Sequence, residues 1–131
     1  MIKTVLITGA AKRVGKALSV HLASQGWSIA IHYNSSDKDA NLLCDELTAS
    51  YSNQKFNVFK ADLNLAEEVE LLISEVIQTM GQIDLLINNA SVFEPAILEQ
   101  TSTQFLDQQM NVNFRAPFIL SRNFAQTSSS G

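Results

Sequence analysis

The chain has 131 residues, which suits one domain, because domains cluster near about 100–150 residues. Hydrophobic residues make up 46% of it and charged residues 17%, so the composition favours a packed core and excludes a mainly disordered chain. The net charge of −4 argues against nucleic-acid binding. The single cysteine excludes a disulfide within the chain and a cysteine metal cage. No apolar run approaches the ~20 residues of a membrane span. We therefore expect a cytoplasmic domain without a metal site or a membrane contact.

Positive charge is concentrated at the start of the chain. Residues 1–36 contain Lys3, Lys12, Arg13 and Lys16 and no acidic residue, whereas all 13 acidic residues follow. A cationic first quarter in an acidic protein indicates a local anion site, although chance clustering would give the same pattern.

Short apolar runs alternate with amphipathic stripes along the chain. Runs rich in β-branched residues predict buried strands over residues 3–8, 28–33, 56–60 and 83–87. Apolar residues three or four positions apart predict a helix after each strand, over residues 14–22, 40–51, 69–80 and 105–120. In the first of these helices we expect the buried face to consist of Val14, Ala17, Leu18, His21 and Leu22.

Local signals refine the later helices. Asn64 with Glu67, and Thr101 with Gln104, match the capping-box pattern that starts a helix. Pro117 lies inside the last helix and should bend it, because proline cannot donate the helical hydrogen bond.

The strand–helix alternation predicts an α/β fold with a Rossmann-type, doubly wound parallel sheet that stops after the fourth strand and its helix. We interpret His32, in the second strand, as a structural residue. Ligands of such sheets bind beyond the carboxyl ends of the strands. The loops of interest are therefore 9–15, 33–37 and 61–63, together with the segment after residue 87.

The first of these loops has the composition of a phosphate-binding turn. Residues 8–15 read Thr-Gly-Ala-Ala-Lys-Arg-Val-Gly, and small residues there let backbone N–H groups approach a pyrophosphate at a helix N-terminus. The second loop, after Tyr33, reads Asn34-Ser35-Ser36 and lacks the acid that usually receives the adenosine ribose hydroxyl. Hydroxyl and amide donors with Arg13 favour a 2′-phosphate, and hence NADP over NAD. Ordinary turns would also use these residues, and the two interpretations coexist for the second loop.

At these positions the sequence resembles the short-chain dehydrogenases/reductases. Thr8-Gly9-x-x-x-Arg13-x-Gly15 is similar to their glycine motif, and Ala61-Asp62-Leu63 follows strand three, where the family's Asp contacts adenine. Asn88-Asn89-Ala90-Ser91 is similar to their Asn-Asn-Ala-Gly motif, and Asn113 to the helix asparagine of their catalytic tetrad. The arginine and serine that replace two glycines resemble the pteridine reductase branch.

The resemblance implies an NADP(H)-binding domain over residues 1–131 of an NADPH-dependent reductase for pteridines or other carbonyl or imine substrates. The expected cofactor contacts lie in the loops, at Gly9, Lys12, Arg13, Val14, Gly15, Tyr33, Asn34, Ser35, Ser36, Asp62, Leu63, Asn89, Ala90 and Ser91. Within that set, Arg13 and Ser36 are expected to hold the 2′-phosphate. The resemblance further implies substrate contacts at Arg13, Ser91 and Phe93, and a catalytic role for Asn113.

Each of these residues also has a structural alternative. Asp62 would help to start the next helix, Asn88 and Asn89 would bridge strands as buried turn residues, Asn113 would satisfy carbonyls freed by the helix bend, and Phe93 would cover the core. The rival function is a non-catalytic nucleotide-binding or interaction module.

The resemblance places the family's catalytic Ser and Tyr-x-x-x-Lys pair beyond the fourth strand–helix unit. We therefore expect no such proton donor in these 131 residues and no turnover by this chain alone. An unpaired fourth strand and the aromatic residues Phe114, Phe118 and Phe124 of the last helix predict a homo-oligomer.

Overall fold

Four parallel strands form a single sheet in the computed structural model, which describes residues 1–127; the serine-rich residues 128–131 lie outside it. The strands are β1 (Thr4–Ile7), β2 (Ser28–Tyr33), β3 (Phe56–Lys60) and β4 (Leu85–Ile87). Their order in the sheet is β3-β2-β1-β4. The chain therefore builds the sheet outwards from β1 in one direction and then returns to the other side of β1, which creates a crevice between the carboxyl ends of β1 and β4.

Helices cover both faces of this sheet and confirm the doubly wound α/β fold. They are α1 (Arg13–Ser24), α2 (Asp37–Ser50), α3 (Ala66–Met80), α4 (Thr103–Met110) and α5 (Ala116–Thr127). A short 3₁₀ turn spans Leu98–Gln100, and a π turn, Asn111–Arg115, joins α4 to α5. Within residues 1–127, no helix combines the length and the apolar character that crossing a membrane requires.

Alternate residues of the strands feed two separate cores. Val5 and Ile7 of β1 point to the layer of α1 and α2, whereas Leu6 points to the layer of α3 and α5, and all three are fully buried. Because both faces are covered, the strands read as continuous apolar runs, which is why their positions were predictable from sequence. β4 is shorter than predicted, and Ile83 precedes it as a buried core residue.

The predicted buried face of α1 is confirmed only in part, because Leu18 and Leu22 are half-buried and pack against the core, but the other predicted residues do not. Val14 is 63% exposed and His21 is also exposed, whereas the buried face consists of Gly15, Ser19 and Ala23. These small residues recur every four positions and let α1 approach the sheet closely. The larger apolar residues therefore lie at the sides of the helix or on its outer surface.

Both predicted capping boxes are wrong in detail. Leu65, not Asn64, occupies the N-cap position of α3 and makes no side-chain cap, while the backbone N–H of Asn64 donates to Oδ1 of Asp62 at 2.9 Å. At α4 the cap is Ser102, whose Oγ accepts the backbone N–H of Phe105 at 3.0 Å. The hydroxyl of Thr101 instead donates to a backbone carbonyl four residues back.

The predicted disturbance near Pro117 takes the form of the π turn. Proline has no N–H for the carbonyl four residues earlier, so the regular helical pattern cannot run through this position. The helix widens over Asn111–Arg115, immediately before α5 begins. Such widened turns are frequent at functional sites, and this one carries Asn113.

Candidate functional site

The phosphate turn, residues 8–15, needs glycine at two positions. Gly9 adopts a left-handed backbone conformation with φ +62°, which glycine tolerates best. A side chain on Gly15 would place its Cβ 2.0 Å from the carbonyl oxygen of Gly9. The turn therefore folds tightly between β1 and α1.

Cations and backbone amides surround the start of α1. Lys12 is the N-cap residue, and no side chain of the described residues caps this helix end. Its first N–H groups therefore remain suited to an anion. Arg13 has φ +52°, a left-handed conformation that costs a non-glycine residue about 1–2 kcal/mol. The chain thus keeps a cation at this position despite backbone strain.

Thr8 and Asn89 tie the phosphate turn to the end of β4. Thr8 Oγ1 accepts the backbone N–H groups of Asn89 and Ala90 at 3.0 and 2.9 Å. Asn89 Nδ2 donates to the carbonyl oxygens of Thr8 and Gly9, both at 3.2 Å. Asn89 therefore does bridge two strands through its amide. Asn88, in contrast, is exposed and donates to the Ser121 hydroxyl at 3.3 Å.

A cavity of about 220 Å³ opens at the carboxyl ends of β1, β2 and β3, and we call it the adenosine-side cavity. It brings together most of the predicted cofactor contacts: Gly9, Lys12, Tyr33, Asn34, Ser35, Ser36, Asp62, Leu63, Ala90 and Ser91. Among the described residues, Asp62 is the one acidic residue that lines this cavity. Lys12 also forms an ion pair with Asp39, with Nζ and Oδ2 3.5 Å apart.

A second recess lies on the other side of the phosphate turn. Its lining consists of Gly9, Lys12, Arg13, Val14, Asn89, Ala90 and Ser91. Arg13 thus shares a recess with Ser91, while Lys12 shares the adenosine-side cavity with Ser36. Arg13 and Ser36, which were expected to hold the 2′-phosphate together, therefore do not line a common recess in the described residues, whereas Lys12 and Ser36 do.

The sequence as a whole matches the model of one protein family, described as short chain dehydrogenase, over residues 3–131. The chain belongs to the short chain dehydrogenase family. Two similar relatives are a hydroxynaphthalene reductase-like protein, Arp2, from Metarhizium acridum and the 3-oxoacyl-[acyl-carrier-protein] reductase FabG from Staphylococcus aureus. They are 34% and 30% identical over 92% and 90% of this chain, which spans 45% and 47% of their lengths.

Solved structures of about twice this length share the fold. FolM alternative dihydrofolate reductase 1 from Brucella suis, in complex with NADP, has a TM-score of 0.89 and 30% identity over 98% of this chain and 52% of that one. A blue fluorescent protein from a metagenomic library, in complex with NADPH, has a TM-score of 0.88 and 30% identity over 96% and 51%. The chain thus spans about half the length of the short chain dehydrogenases it matches.

Residues 61–65, which the resemblance assigns to adenine and which we call the adenine loop, are held from outside by the π turn. Asn111 Nδ2 donates to Oδ1 of Asn64 at 3.0 Å, and an Arg115 Nη donates to the Asn64 carbonyl oxygen at 2.9 Å. From inside, Glu68 Oε1 accepts the backbone N–H of Asp62 at 2.9 Å. Asp62 thus holds the loop that precedes α3, as well as lining the cavity. Asn111 and Arg115 were not predictable from the sequence, because the periodicity of the helix does not reveal a π turn.

Asn113 clamps the segment that follows β4. Its Nδ2 donates to the Val92 carbonyl oxygen at 2.7 Å, and its Oδ1 accepts the Val92 N–H at 2.9 Å. The alternative in which Asn113 satisfies carbonyls freed at the proline is therefore wrong. Phe93, the next residue, is 84% exposed, so the alternative in which it covers the core is also wrong.

One tyrosine does have the Tyr-x-x-x-Lys spacing, against expectation, at Tyr51 and Lys55. Both residues lie between α2 and the amino end of β3. The phosphate turn lies at the opposite edge of the sheet, where the parallel strands have their carboxyl ends. The Lys55 N–H donates to Ser28 Oγ at 2.9 Å, and the Tyr51 ring packs 6.4 Å from that of Phe56. This pair therefore has no access to the candidate site.

His32 is a further site residue whose connections the sequence did not reveal. It lines the adenosine-side cavity from β2 and is 2% exposed. Burial lowers the pKa of its imidazole below the ordinary value of 6.5, and a hydrogen bond to the Ala61 carbonyl partly opposes that effect.

Proposed function

We propose that residues 1–131 form the NADP(H)-binding domain of a short-chain reductase. The observation that carries the proposal is the adenosine-side cavity, in which the acid-free segment 34–36 faces Lys12 beside a glycine-shaped phosphate turn. A cavity that supplies hydroxyl, amide and ammonium donors suits a phosphate monoester. The NADP and NADPH complexes of similar proteins support the same choice of cofactor.

The phosphate turn fits the pyrophosphate of this cofactor. Gly9 and Gly15 keep the turn free of side chains, and the uncapped start of α1 contributes N–H groups and the positive end of the helix dipole. Val14 lines the second recess beside this helix end. A pyrophosphate on this turn would be positioned between the cavity and that recess.

The two ends of the dinucleotide then use different residues. Lys12, Ser35 and Ser36, together with the Asn34 amide and Tyr33, would hold the 2′-phosphate and ribose. Asp62 and Leu63 would receive adenine, because they line the same cavity after β3. On the nicotinamide side the lining is Asn89, Ala90 and Ser91.

We propose a pteridine or another flat carbonyl or imine compound as the substrate class. Arg13 and Ser91 share the second recess, and the exposed Phe93 ring lies two residues after Ser91. An aromatic face stacks well on a flat heterocycle. The similarity to FolM alternative dihydrofolate reductase 1 supports this choice.

The bound cofactor would supply hydride, and this chain's residues would bind and orient it. Asn113 would act through Val92, by keeping the segment after β4 in place.

No tyrosine of the described residues other than Tyr33 lines either recess, so we expect no NADPH oxidation by this chain alone with dihydropterins or a carbonyl panel. Turnover well above background would contradict that expectation, and cofactor binding without turnover would also fit the rival non-catalytic module. A Tyr-x-x-x-Lys roughly 40 residues downstream of Asn113 in the coding sequence would favour the reductase.

A lysine comparison tests the cofactor assignment. Lys12→Ala should weaken NADP⁺ binding by roughly 10–100-fold, because charged hydrogen bonds contribute about 1.5–3 kcal/mol. Lys16→Ala is the matched control, since Lys16 is exposed on the first turns of the same helix and lines neither recess. Equal losses in the two variants, measured by calorimetric titration, would contradict a specific phosphate contact at Lys12.

We also propose that the chain associates with itself. Phe114 and Phe118 are 67% and 58% exposed, and β4 is an edge of the described sheet. Phe124, which was expected to share that surface, packs against the core instead. Sedimentation at micromolar concentration should therefore show a dimer or a larger species, and a well-behaved monomer would contradict the proposal.

A further inference from the structure

His32 connects the phosphate turn to the end of β3 through one buried side chain. Its Nδ1 accepts the backbone N–H of Gly9 at 3.0 Å, and its Nε2 lies 2.9 Å from the carbonyl oxygen of Ala61. Its own carbonyl oxygen accepts the Ala10 N–H at 3.0 Å. The residue therefore contacts two successive residues of the turn as well as the residue before Asp62.

These partners define the protonation state of the ring. An amide N–H can only donate and a carbonyl oxygen can only accept, so Nδ1 must be bare and Nε2 must carry the proton. A protonated imidazolium would direct an N–H at the N–H of Gly9, and the hydrogen bond would be lost. The neutral Nε2–H tautomer is thus the form that satisfies both contacts.

Gly9 is the position where this hydrogen bond matters most. The residue adopts φ +62°, and its carbonyl oxygen lies where the smallest side chain on Gly15 would collide. Fixing the Gly9 amide therefore fixes the path of the phosphate turn at its tightest point. The second hydrogen bond fixes Ala61, which directly precedes the two residues proposed to receive adenine.

We infer that neutral His32 is a positioning residue that sets the phosphate turn and the adenine loop at the spacing NADP(H) requires. This inference rests on the proposed function. It predicts that cofactor affinity falls when His32 is protonated or when its acceptor is removed, even where the fold survives.

The charged and titratable groups around His32 come from each element of the cavity. Lys12 lies on the phosphate turn, Tyr33 follows on β2, and Asp62 follows β3. The α4 and π-turn lining, Gln108 and Val112, is uncharged. Burial disfavours the imidazolium, so protonation should begin below the ordinary histidine pKa of 6.5.

The test compares NADP⁺ affinity between pH 8 and pH 5.5 in the wild type, His32→Asn and His32→Phe. The Asn side-chain oxygen can replace Nδ1 as the acceptor for Gly9 but does not titrate, whereas Phe keeps the ring shape and removes both hydrogen bonds. At pH 7.5 we expect His32→Asn to bind within about 5-fold of the wild type and His32→Phe about 10-fold or more weakly. His21→Asn, at an exposed position on α1, is the control.

The pH profile separates positioning from a purely structural role. The 2′-phosphate itself titrates near pH 6, so the informative quantity is the difference between the pH profiles of NADP⁺ affinity in the wild type and in His32→Asn. Because burial lowers the pKa of the His32 imidazole, the ring should stay mostly neutral over this range, and wild-type affinity should fall by at most a few-fold more than that of His32→Asn between pH 7.5 and 5.5, while circular dichroism shows folded protein throughout. Wild-type affinity in His32→Phe, or a wild-type profile that falls less steeply than that of His32→Asn, would overturn the inference.

A second measurement, on the wild type, tests the inference even if a variant fails to fold. In the wild type at pH 7.5, nitrogen NMR of the imidazole should show a bare Nδ1 and a protonated Nε2, and the reverse tautomer would overturn the inference. The outcomes also separate the two proposals. No NADP⁺ binding by the wild type overturns the proposed function and this inference together, whereas equal binding by the wild type and His32→Phe overturns this inference alone.

Discussion

The two halves of the candidate site are built differently. On the adenosine side, His32, Ala61 and Leu63 are at most 5% exposed, and the loop is held from two directions by side-chain hydrogen bonds. On the side proposed for nicotinamide, the segment that follows β4 contains Phe93, which is 84% exposed, and Asn113 clamps this segment through Val92. The comparison teaches that the adenosine half is an extension of the core, whereas the other half depends on a few exposed contacts.

Gly15→Ala should break the adenosine half most severely. The new Cβ would meet a backbone oxygen at 2.0 Å, and overpacking of this kind costs about 3 kcal/mol. We expect a lower free energy of unfolding and no detectable NADP⁺ binding. The matched control is Gly26→Ala, at φ +95° with open space around it, which should lose about 1–2 kcal/mol by backbone strain and keep its affinity. Full binding by Gly15→Ala would show that the turn can widen.

Arg13 combines backbone strain with a charge that lines the second recess. Arg13→Gly should raise the free energy of unfolding by about 1 kcal/mol, since glycine accepts φ +52° without strain. It should also weaken cofactor binding by roughly 10-fold or more through the lost cation. Arg13→Ala should weaken binding similarly without any gain in stability. Denaturant unfolding measures the stability of the two variants, and calorimetry measures their cofactor affinity. Equal free energies of unfolding for Arg13→Gly and Arg13→Ala would contradict backbone strain at this position.

Asn113→Ala should loosen the nicotinamide half alone. Without the two hydrogen bonds to Val92, amide exchange in residues 90–100 should accelerate about 10-fold, because two bonds contribute roughly 1–2 kcal/mol. Exchange in the adenine loop should not change. Asn88→Ala, which removes one longer hydrogen bond at 3.3 Å, serves as the control. Faster exchange in both halves would mean that they are coupled.

The smallest effect is a pH dependence of stability that comes from the adenosine half. Because the pKa of His32 is lowered by folding, the unfolded chain binds more protons below about pH 6.5, and the free energy of unfolding falls as the pH drops through that range. His32→Asn should remove this dependence, whereas His21→Asn should retain it. Urea unfolding from pH 7.5 to 5.5 measures the slopes, and equal slopes in wild type and His32→Asn would contradict the assignment.

The difference between core packing and individual side-chain contacts also explains which features of the fold and the site could be predicted from the sequence. Strand positions and the order of elements follow from apolar runs buried on both faces, and the glycine and asparagine motifs mark the loops at the carboxyl ends. The buried face of α1 was only partly predicted, because small residues such as Ser19 carry little hydrophobic signal.

Long-range partners were not predictable from local pattern. His32 reaches Gly9 across 23 positions, and Asn111 reaches Asn64 across 47, by way of a π turn. Such contacts depend on how elements pack, and neither residue type nor spacing along the chain encodes them. Arg13 and Lys12 are neighbours in sequence and both line the second recess, yet Lys12 also lines the adenosine-side cavity and Arg13 does not.

The acid-free segment 34–36 and Lys12 of the adenosine-side cavity are proposed to select NADP(H). The most direct test is calorimetric titration of the wild-type chain with NADP⁺ and with NAD⁺ in the same buffer at pH 7.5. A charge-assisted phosphate contact of about 1.5–3 kcal/mol predicts that NADP⁺ binds roughly 10–100-fold more tightly. Equal affinities, or a preference for NAD⁺, would contradict the account.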